Sequence, residues 1–312
     1  MIKLEKIYLA SPRGFCPGVR RAVEIVNLVL KKHGPPIYVR HPIVHNHHVV
    51  SYFEKKGVIF VEDLKEVPNK AVIIFSAHGS PPNLYQEAKN KNLHVYDAVC
   101  PLVMKVHLEA KKYQKEGYHI LYIGHKNHAE VIGVIGEVSS NSISLISSLS
   151  EAKKIKPPET EKLIVLSQTT LSLDDTKEIV DCLKKRFPRL ILPPSSDICL
   201  ATQNRQNAVK ELAKKVDLIL VVGSKTSSNS NRLKEVAEKS GVPAYLIDDK
   251  SEIEIKWFDN VKRVGITAGA SAPEDIIQEV IKYLLVKNVK VEEIEVNKEK
   301  VNFPLPEEIY EN

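Results

Sequence analysis

The chain has 312 residues, 43% of them hydrophobic and 27% charged, with 45 Lys and Arg against 39 Asp and Glu and a net charge of +6. That composition excludes a disordered chain and a disulfide-dense miniature fold, and at roughly 150 residues per domain the length suits about two domains. The basic excess is spread through helix-like runs such as Lys31-Lys32, Lys111-Lys112 and Lys184-Lys185-Arg186. It reads as solvated helix faces, so no nucleic-acid partner is expected. Mean hydropathy is −0.18, and no run approaches the roughly 20 apolar residues of a membrane helix. The start, Met1-Ile2-Lys3-Leu4-Glu5-Lys6, mixes an acid with lysines and shows no cleavage site. The expectation is a cytoplasmic protein that meets no membrane.

In chain order, short apolar, β-branched runs alternate with helical patterns. The clearest runs are Val72-Ile73-Ile74-Phe75, Ile120-Leu121-Tyr122-Ile123, Leu163-Ile164-Val165-Leu166 and Leu218-Ile219-Leu220-Val221-Val222. They are continuously apolar, as strands buried on both faces by crossover helices are. The alternation predicts an α/β fold with mainly parallel sheets.

Polar residues follow the runs. Phe75 leads into Ser76-Ala77-His78-Gly79, Ile123 into Gly124-His125-Lys126-Asn127-His128, and Leu166 into Ser167-Gln168-Thr169-Thr170. Val222 leads into Gly223-Ser224-Lys225-Thr226-Ser227-Ser228-Asn229, and Ile266 into Thr267-Ala268-Gly269-Ala270-Ser271. Parallel sheets place ligand sites at such strand ends, where the next helix offers free N–H groups and a positive dipole end. These ends read as one polar pocket for an anion. Simple helix capping is the plain alternative, but it accounts for one residue per helix, not for Ser227-Ser228-Asn229 or His128.

Spacing suggests three comparable units, over 16–100, 101–198 and 199–285. Ile155 to Glu161, around Pro157-Pro158, reads as a surface loop. Residues 286–312, with Val291-Glu292-Glu293-Ile294-Glu295-Val296 and Phe303-Pro304-Leu305-Pro306, read as an extended tail packed across the body.

Four cysteines are present and none forms a close pair. Cys16 and Cys100 each precede a proline and a helical pattern, and Cys199 stands shortly before a helix starting near Thr202. Proline favours the first helical position, and a helix N-terminus favours the thiolate, the form that binds metal. The three stand at the unit boundaries, at 16, 100 and 199. Free cysteines are usually small buried hydrophobes, which suits Cys182, on a stripe with Ile179, Leu183 and Phe187, but suits the other three poorly. Three thiolates leave a tetrahedral position open: an iron–sulfur cluster accepts distant ligands and an open iron, whereas a structural zinc closes its site. A zinc-stabilised anion-binding module without redox activity, closed by one histidine, stays open as the alternative. His45, His78 and His128 could, with the Ser/Asn loop, neutralise a diphosphate, and Glu130 is a candidate proton donor. A dinucleotide-binding dehydrogenase is disfavoured, because Gly223-Ser224-Lys225 offers no glycine series.

Seven segments then resemble one family. Arg13-Gly14-Phe15-Cys16-Pro17-Gly18-Val19, Phe75-Ser76-Ala77-His78-Gly79, Asp97-Ala98-Val99-Cys100-Pro101-Leu102-Val103, Ser167-Gln168-Thr169-Thr170-Leu171-Ser172, Asp197-Ile198-Cys199, Ser227-Ser228-Asn229-Ser230-Asn231-Arg232 and Ala268-Gly269-Ala270-Ser271-Ala272-Pro273 are similar to 4-hydroxy-3-methylbut-2-enyl diphosphate reductases. These oxidoreductases form isopentenyl and dimethylallyl diphosphates in the last step of the methylerythritol phosphate route to isoprenoids. The resemblance runs from about Tyr8 to Leu285. Pro17, where the family commonly has alanine, still suits a helix start.

The resemblance implies three α/β units in pseudo-threefold arrangement, with the strand in residues 1–15 joining the third. It implies one [4Fe–4S] cluster per chain on Cys16, Cys100 and Cys199, with one open iron for the substrate's allylic hydroxyl. His45, His78, His128, Ser227, Ser228, Asn229 and Ser271 match diphosphate ligands; Glu130 and Thr169, with His128, match the catalytic group that contacts the hydroxyl and relays protons. A low-potential electron donor such as ferredoxin or flavodoxin, and a monomeric or homodimeric state, complete what it implies.

Overall fold

The structure is a computed structural model that describes residues 4–158, 161–285 and 289–310. Parts of the expected N-terminal strand segment (residues 1–3), of the Ile155 to Glu161 loop (159–160) and of the tail (286–288 and 311–312) lie outside the described residues. In chain order the elements are β1 (Lys6–Ser11), α1 (Pro17–His33), β2 (Ile37–Arg40), α2 (His47–Glu54), β3 (Val58–Val61), β4 (Val72–Phe75), α3 (Pro82–Asn90), β5 (His94–Asp97), α4 (Pro101–Lys115), β6 (His119–Ile123), α5 (Ala129–Ile135), β7 (Ile143–Ile146), α6 (Leu149–Lys154), β8 (Leu163–Ser167) and α7 (Leu173–Arg186). They continue with α8 (Leu200–Ala213), β9 (Leu218–Val222), α9 (Ser228–Lys239), β10 (Ala244–Ile247), β11 (Arg263–Ala268), α10 (Glu274–Leu284) and β12 (Lys290–Glu295). The chain is α/β, with three sheets in which every strand pairing is parallel.

The chain divides into two compact units, one of residues 1–19, 45–49 and 200–302, the other of 20–44, 50–199 and 303–312. The first unit holds the five-stranded sheet β10-β9-β11-β1-β12. One face packs Ile7, Leu220 and Ile266 against Ile277, Val280 and Leu284 of α10. The other packs Ile219 and Val221 against Val209 and Leu212 of α8 and Leu233 and Val236 of α9. Burial on both faces is why these strands show no apolar–polar alternation.

The second unit holds two sheets, β3-β2-β4-β5 and β7-β6-β8. In the smaller sheet Leu121, Ile123 and Val165 meet Ala152 of α6 and Ile179 and Leu183 of α7 on one face. Ile120, Tyr122 and Ile164 meet Val106 and Ala110 of α4 and Val131 of α5 on the other. Cys182 and Phe187 pack against that first core, completing the apolar stripe read from α7.

Two details differ from the sequence reading. The helix after Cys199 begins at once, at Leu200. The tail is not wholly irregular: β12 pairs with β1 from Lys6↔Lys290 to Ser11↔Glu295. This edge strand carries Glu292, Glu293 and Glu295, and such charges discourage further strand pairing.

Candidate functional site

Each unit carries its own share of the residues singled out in the sequence. In the second unit, β4 ends at Phe75 and the chain turns through Ser76, whose Oγ lies 3.1 Å from Nδ1 of His78. β6 leads through a short loop to His128, which caps α5: its Nδ1 accepts the Glu130 N–H at 3.2 Å. An accepting Nδ1 places the proton of a neutral imidazole on Nε2. The His78 and His128 rings meet edge to face with centroids 6.0 Å apart.

Glu130 is only 2% exposed, in the first turn of α5. One carboxyl oxygen accepts the Thr169 N–H at 2.6 Å and the other the Thr169 hydroxyl at 3.1 Å. Burial pushes this carboxyl up to about 7, against those two hydrogen bonds and with some help from the negative charge of Asp197. A carboxylic acid poised there keeps a transferable proton near neutral pH. Thr169 follows the end of β8, so the acid and its partner come from two neighbouring strand ends of one sheet.

The three candidate cysteines share one local construction. The Cys100 N–H donates to the Ala77 carbonyl, Cys199 N–H to that of Thr169, and Cys16 N–H to that of Ala270, each at 3.0 Å. Each cysteine therefore hangs by its amide from a strand-end loop that also carries a candidate ligand: His78, Thr169 or Ser271. Each is followed directly by a helix, and Cys16 Sγ accepts the Val19 N–H at 3.4 Å. Among the described residues no three His, Cys, Asp or Glu side chains form a metal-holding group. The donor chemistry fits a thiolate-held iron–sulfur group, since a helix start stabilises the ligating form of sulfur.

In the first unit the donors are neutral. Ser227 caps α9, accepting the Ser230 N–H at 3.3 Å and retaining its own hydroxyl proton. Ser228 opens that helix, and Asn229 Oδ1 accepts the Ala270 N–H at 2.9 Å. Ser271 Oγ donates to the His45 carbonyl at 2.9 Å, fixing the loop on which His45 sits. Gly269 permits this assembly, because a Cβ there would lie 2.0 Å from Ser230 Oγ. Capping and ligand roles are thus compatible at Ser227 and His128.

Sequence reading assigned no role to three residues that build these loops. Asp197 accepts the Ser167 N–H and the Lys105 ammonium, both at 2.8 Å, two residues ahead of Cys199. Asp97 accepts the Val99 N–H at 2.9 Å and the Tyr85 hydroxyl at 2.5 Å, three residues ahead of Cys100. The recurrence of Asp before Cys in two motifs was the available signal. Gln168, fully buried, accepts the His125 N–H at 3.0 Å and donates to Thr170 Oγ1 at 3.0 Å.

Comparison with known proteins agrees with this construction. Residues 7–285 match the LytB protein family. The chain is 50% identical over 305 residues to a 4-hydroxy-3-methylbut-2-enyl diphosphate reductase of Polaromonas sp., covering 97% of this chain and 91% of the relative. It is 48% identical over 308 residues to the like-named protein of Pseudomonas aeruginosa, covering 97% and 98%. Among solved structures, the E-1-hydroxy-2-methyl-but-2-enyl-4-diphosphate reductase of Plasmodium falciparum superposes with a TM-score of 0.95 at 40% identity, over 98% of this chain and 97% of that one. These likenesses do not favour the zinc-stabilised, redox-inactive alternative. The chain belongs to the LytB family and is an oxidoreductase, a 4-hydroxy-3-methylbut-2-enyl diphosphate reductase.

Proposed function

We propose that Cys16, Cys100 and Cys199 hold one [4Fe–4S] cluster with an open iron, and that the polar strand ends around them bind the diphosphate and deliver protons. The substrate, 4-hydroxy-3-methylbut-2-enyl diphosphate, takes up two electrons and two protons. Its allylic C–O bond breaks, the oxygen leaves as water, and hydrogen added at either end of the allyl unit gives isopentenyl or dimethylallyl diphosphate. The names of the relatives support this substrate, and the Glu130–Thr169 pair is the observation that carries the mechanism.

When bound, the cluster supplies the electrons for that reduction. The chain's own residues do the rest. Hydroxide is a poor leaving group, so a buried acid with its pKa near 7 is suited to protonate the departing oxygen. Thr169 holds Glu130 through both carboxyl oxygens, and its hydroxyl lies in line to pass a proton on. The imidazoles of His45, His78 and His128 supply N–H donors to the anion. Ser227, Ser228, Asn229 and Ser271 supply neutral contacts beside the N-terminus of α9, whose dipole favours negative charge.

Among the described residues no helix is long and apolar enough to cross a membrane. We place the chain in the cytoplasm, as a monomer or homodimer reduced by a low-potential donor such as ferredoxin or flavodoxin. We also propose three units, over 16–100, 101–198 and 199–285 with 1–15, and that 286–312 is an appendage that adds β12 to the sheet of the third. Anaerobic iron and acid-labile sulfide analysis, combined with turnover driven by a chemical reductant, tests the central reading. About four irons per chain and product formation are expected. A colourless protein carrying zinc overturns the reading.

A further inference from the structure

We propose that the segment after β12 is a strap that positions the cysteine loops through two arginines, making Arg205 and Arg21 positioning residues for the cluster. The inference rests on the cluster reading given above. Arg205 is fully buried and is the largest such side chain among the described residues. Its Nε and Nη2 donate to the Gly14 carbonyl at 3.2 and 2.7 Å, and its Nη1 donates to the Ala201 carbonyl at 2.9 Å. Gly14 stands two residues before Cys16, in a left-handed conformation with φ +64°, and Ala201 stands two residues after Cys199.

The counter-ion for this guanidinium comes from the tail. Glu299 accepts from Nη1 at 2.6 Å and from Nη2 at 3.2 Å, a two-point grip. The strap reaches that point because β12 pairs with β1, Val296 N–H donates to the Ser11 carbonyl at 2.9 Å, and Asn297 meets Asn204 at 3.0 Å. A buried guanidinium without its carboxylate is costly, so Glu299 holds Arg205 where Arg205 can hold the Gly14 carbonyl.

Arg21, in the other unit, has the same division of labour. Its Nη1 donates to the carbonyl of Val99, the residue before Cys100, at 3.0 Å, and its Nε donates to the carbonyl of Pro304 at 2.7 Å. In both units an arginine has one edge on a backbone carbonyl beside a cysteine and the other on the tail. No tail residue needs to touch the cluster for the tail to govern how firmly it is held.

The test uses full-length chains, reconstituted anaerobically and then challenged with an iron chelator while cluster absorbance is followed. Replacing a buried ion pair by apolar side chains of similar bulk is often neutral for folding. The double variant Arg205→Met with Glu299→Leu should therefore melt close to wild type before reconstitution, yet lose its cluster at least tenfold faster. Arg21→Met should bleach faster as well. Mass-resolved alkylation of the cluster-free chains should show Cys16 modified faster in the double variant, with Cys182 unchanged. If the double variant folds poorly, Arg205→Lys keeps a cation for Glu299 but cannot span the Gly14 and Ala201 carbonyls, and should still bleach several-fold faster. Wild-type bleaching and Cys16 alkylation rates in the folded variants overturn the strap. A wild-type chain that takes up no iron overturns the cluster reading beneath it.

Discussion

The two units carry different chemistry at their strand ends. The second unit carries Glu130, buried with a pKa raised to about 7, together with the imidazoles of His78 and His128. The first carries, besides His45, neutral groups: the hydroxyls of Ser227, Ser228 and Ser271 and the amide of Asn229. Both are built alike, on parallel strand ends that run into helix starts. Under the proposed function, one architecture yields an anion cradle or a proton device according to which side chain occupies the cap. Substituting the first unit's serines should change affinity without reshaping a pH profile, and substituting Glu130 should change turnover and its pH dependence.

The largest effect is expected where the units contribute alike. Cys16→Ser, Cys100→Ser and Cys199→Ser should each abolish cluster absorbance in anaerobically reconstituted protein, whichever unit carries the change. Cys182→Ser, on the apolar stripe of α7, should leave it essentially intact. Bleaching by Cys182→Ser alone would reverse the assignment.

Next comes the proton device. Glu130→Gln preserves size and hydrogen bonding to Thr169 but removes the transferable proton. Positioned general acids contribute about 10²- to 10⁴-fold, so kcat should fall at least about 100-fold while the cluster assembles and substrate binds. In the wild type kcat should fall as pH rises through about 7, where Glu130 loses its proton. The variant's residual rate should show no such limb. A near-normal kcat would reduce Glu130 to a helix-start acid, worth about 0.3–1 kcal/mol.

The same carboxyl makes a stability prediction of opposite sign. Its pKa in the folded chain is raised from 4.5 to about 7, so the native state binds more protons than the unfolded state between those values. Stability contributed by the neutral form is complete below about pH 4.5 and is lost as pH rises through about 7. Glu130→Gln should thus be near neutral at acid pH and stabilising above neutrality, by up to about 3 kcal/mol at 1.36 kcal/mol per pKa unit. Denaturant melts at pH 5 and pH 8 check it. Equal differences at both pH values would show that Glu130 is not held neutral by its surroundings.

The legible parts of this molecule were those written locally. Proline after Cys16 and Cys100 marks helix starts, and the unbroken apolar runs at Ile120 and Leu218 become strands covered on both faces. Glu130 was legible because it alone among the acids follows a strand-end histidine. Arg205 was not. In Gln203-Asn204-Arg205-Gln206 it looks like a solvated helix residue, and its burial depends on Gly14 and Glu299, far away in sequence. β12 was hidden for a similar reason: acids at 292, 293 and 295 disguise a strand whose partner is β1.

The smallest effect is expected in the anion cradle, where hydrogen-bond direction separates two serines. Ser227 Oγ accepts the Ser230 N–H, so its hydroxyl proton remains to be given to a phosphate oxygen. Ser271 Oγ donates to the His45 carbonyl, which can only accept, so its single proton is already committed. To donate to the diphosphate Ser271 must release His45, and the gain is offset by that loss. A hydrogen bond to a charged group is worth about 1.5–3 kcal/mol, so Ser227→Ala should weaken substrate binding by about tenfold or more, at 1.4 kcal/mol per decade. Ser271→Ala should weaken it less, acting mainly by loosening the His45 loop. Neither change should move the pH dependence of kcat. His78→Ala should likewise weaken binding, by about 1.5–3 kcal/mol. Equilibrium binding of the diphosphate substrate to oxidised protein, measured across pH, distinguishes these outcomes. A Ser271→Ala penalty larger than that of Ser227→Ala would mean that Ser271 turns its proton to the ligand on binding, and that the cradle is assembled by substrate and not set in advance.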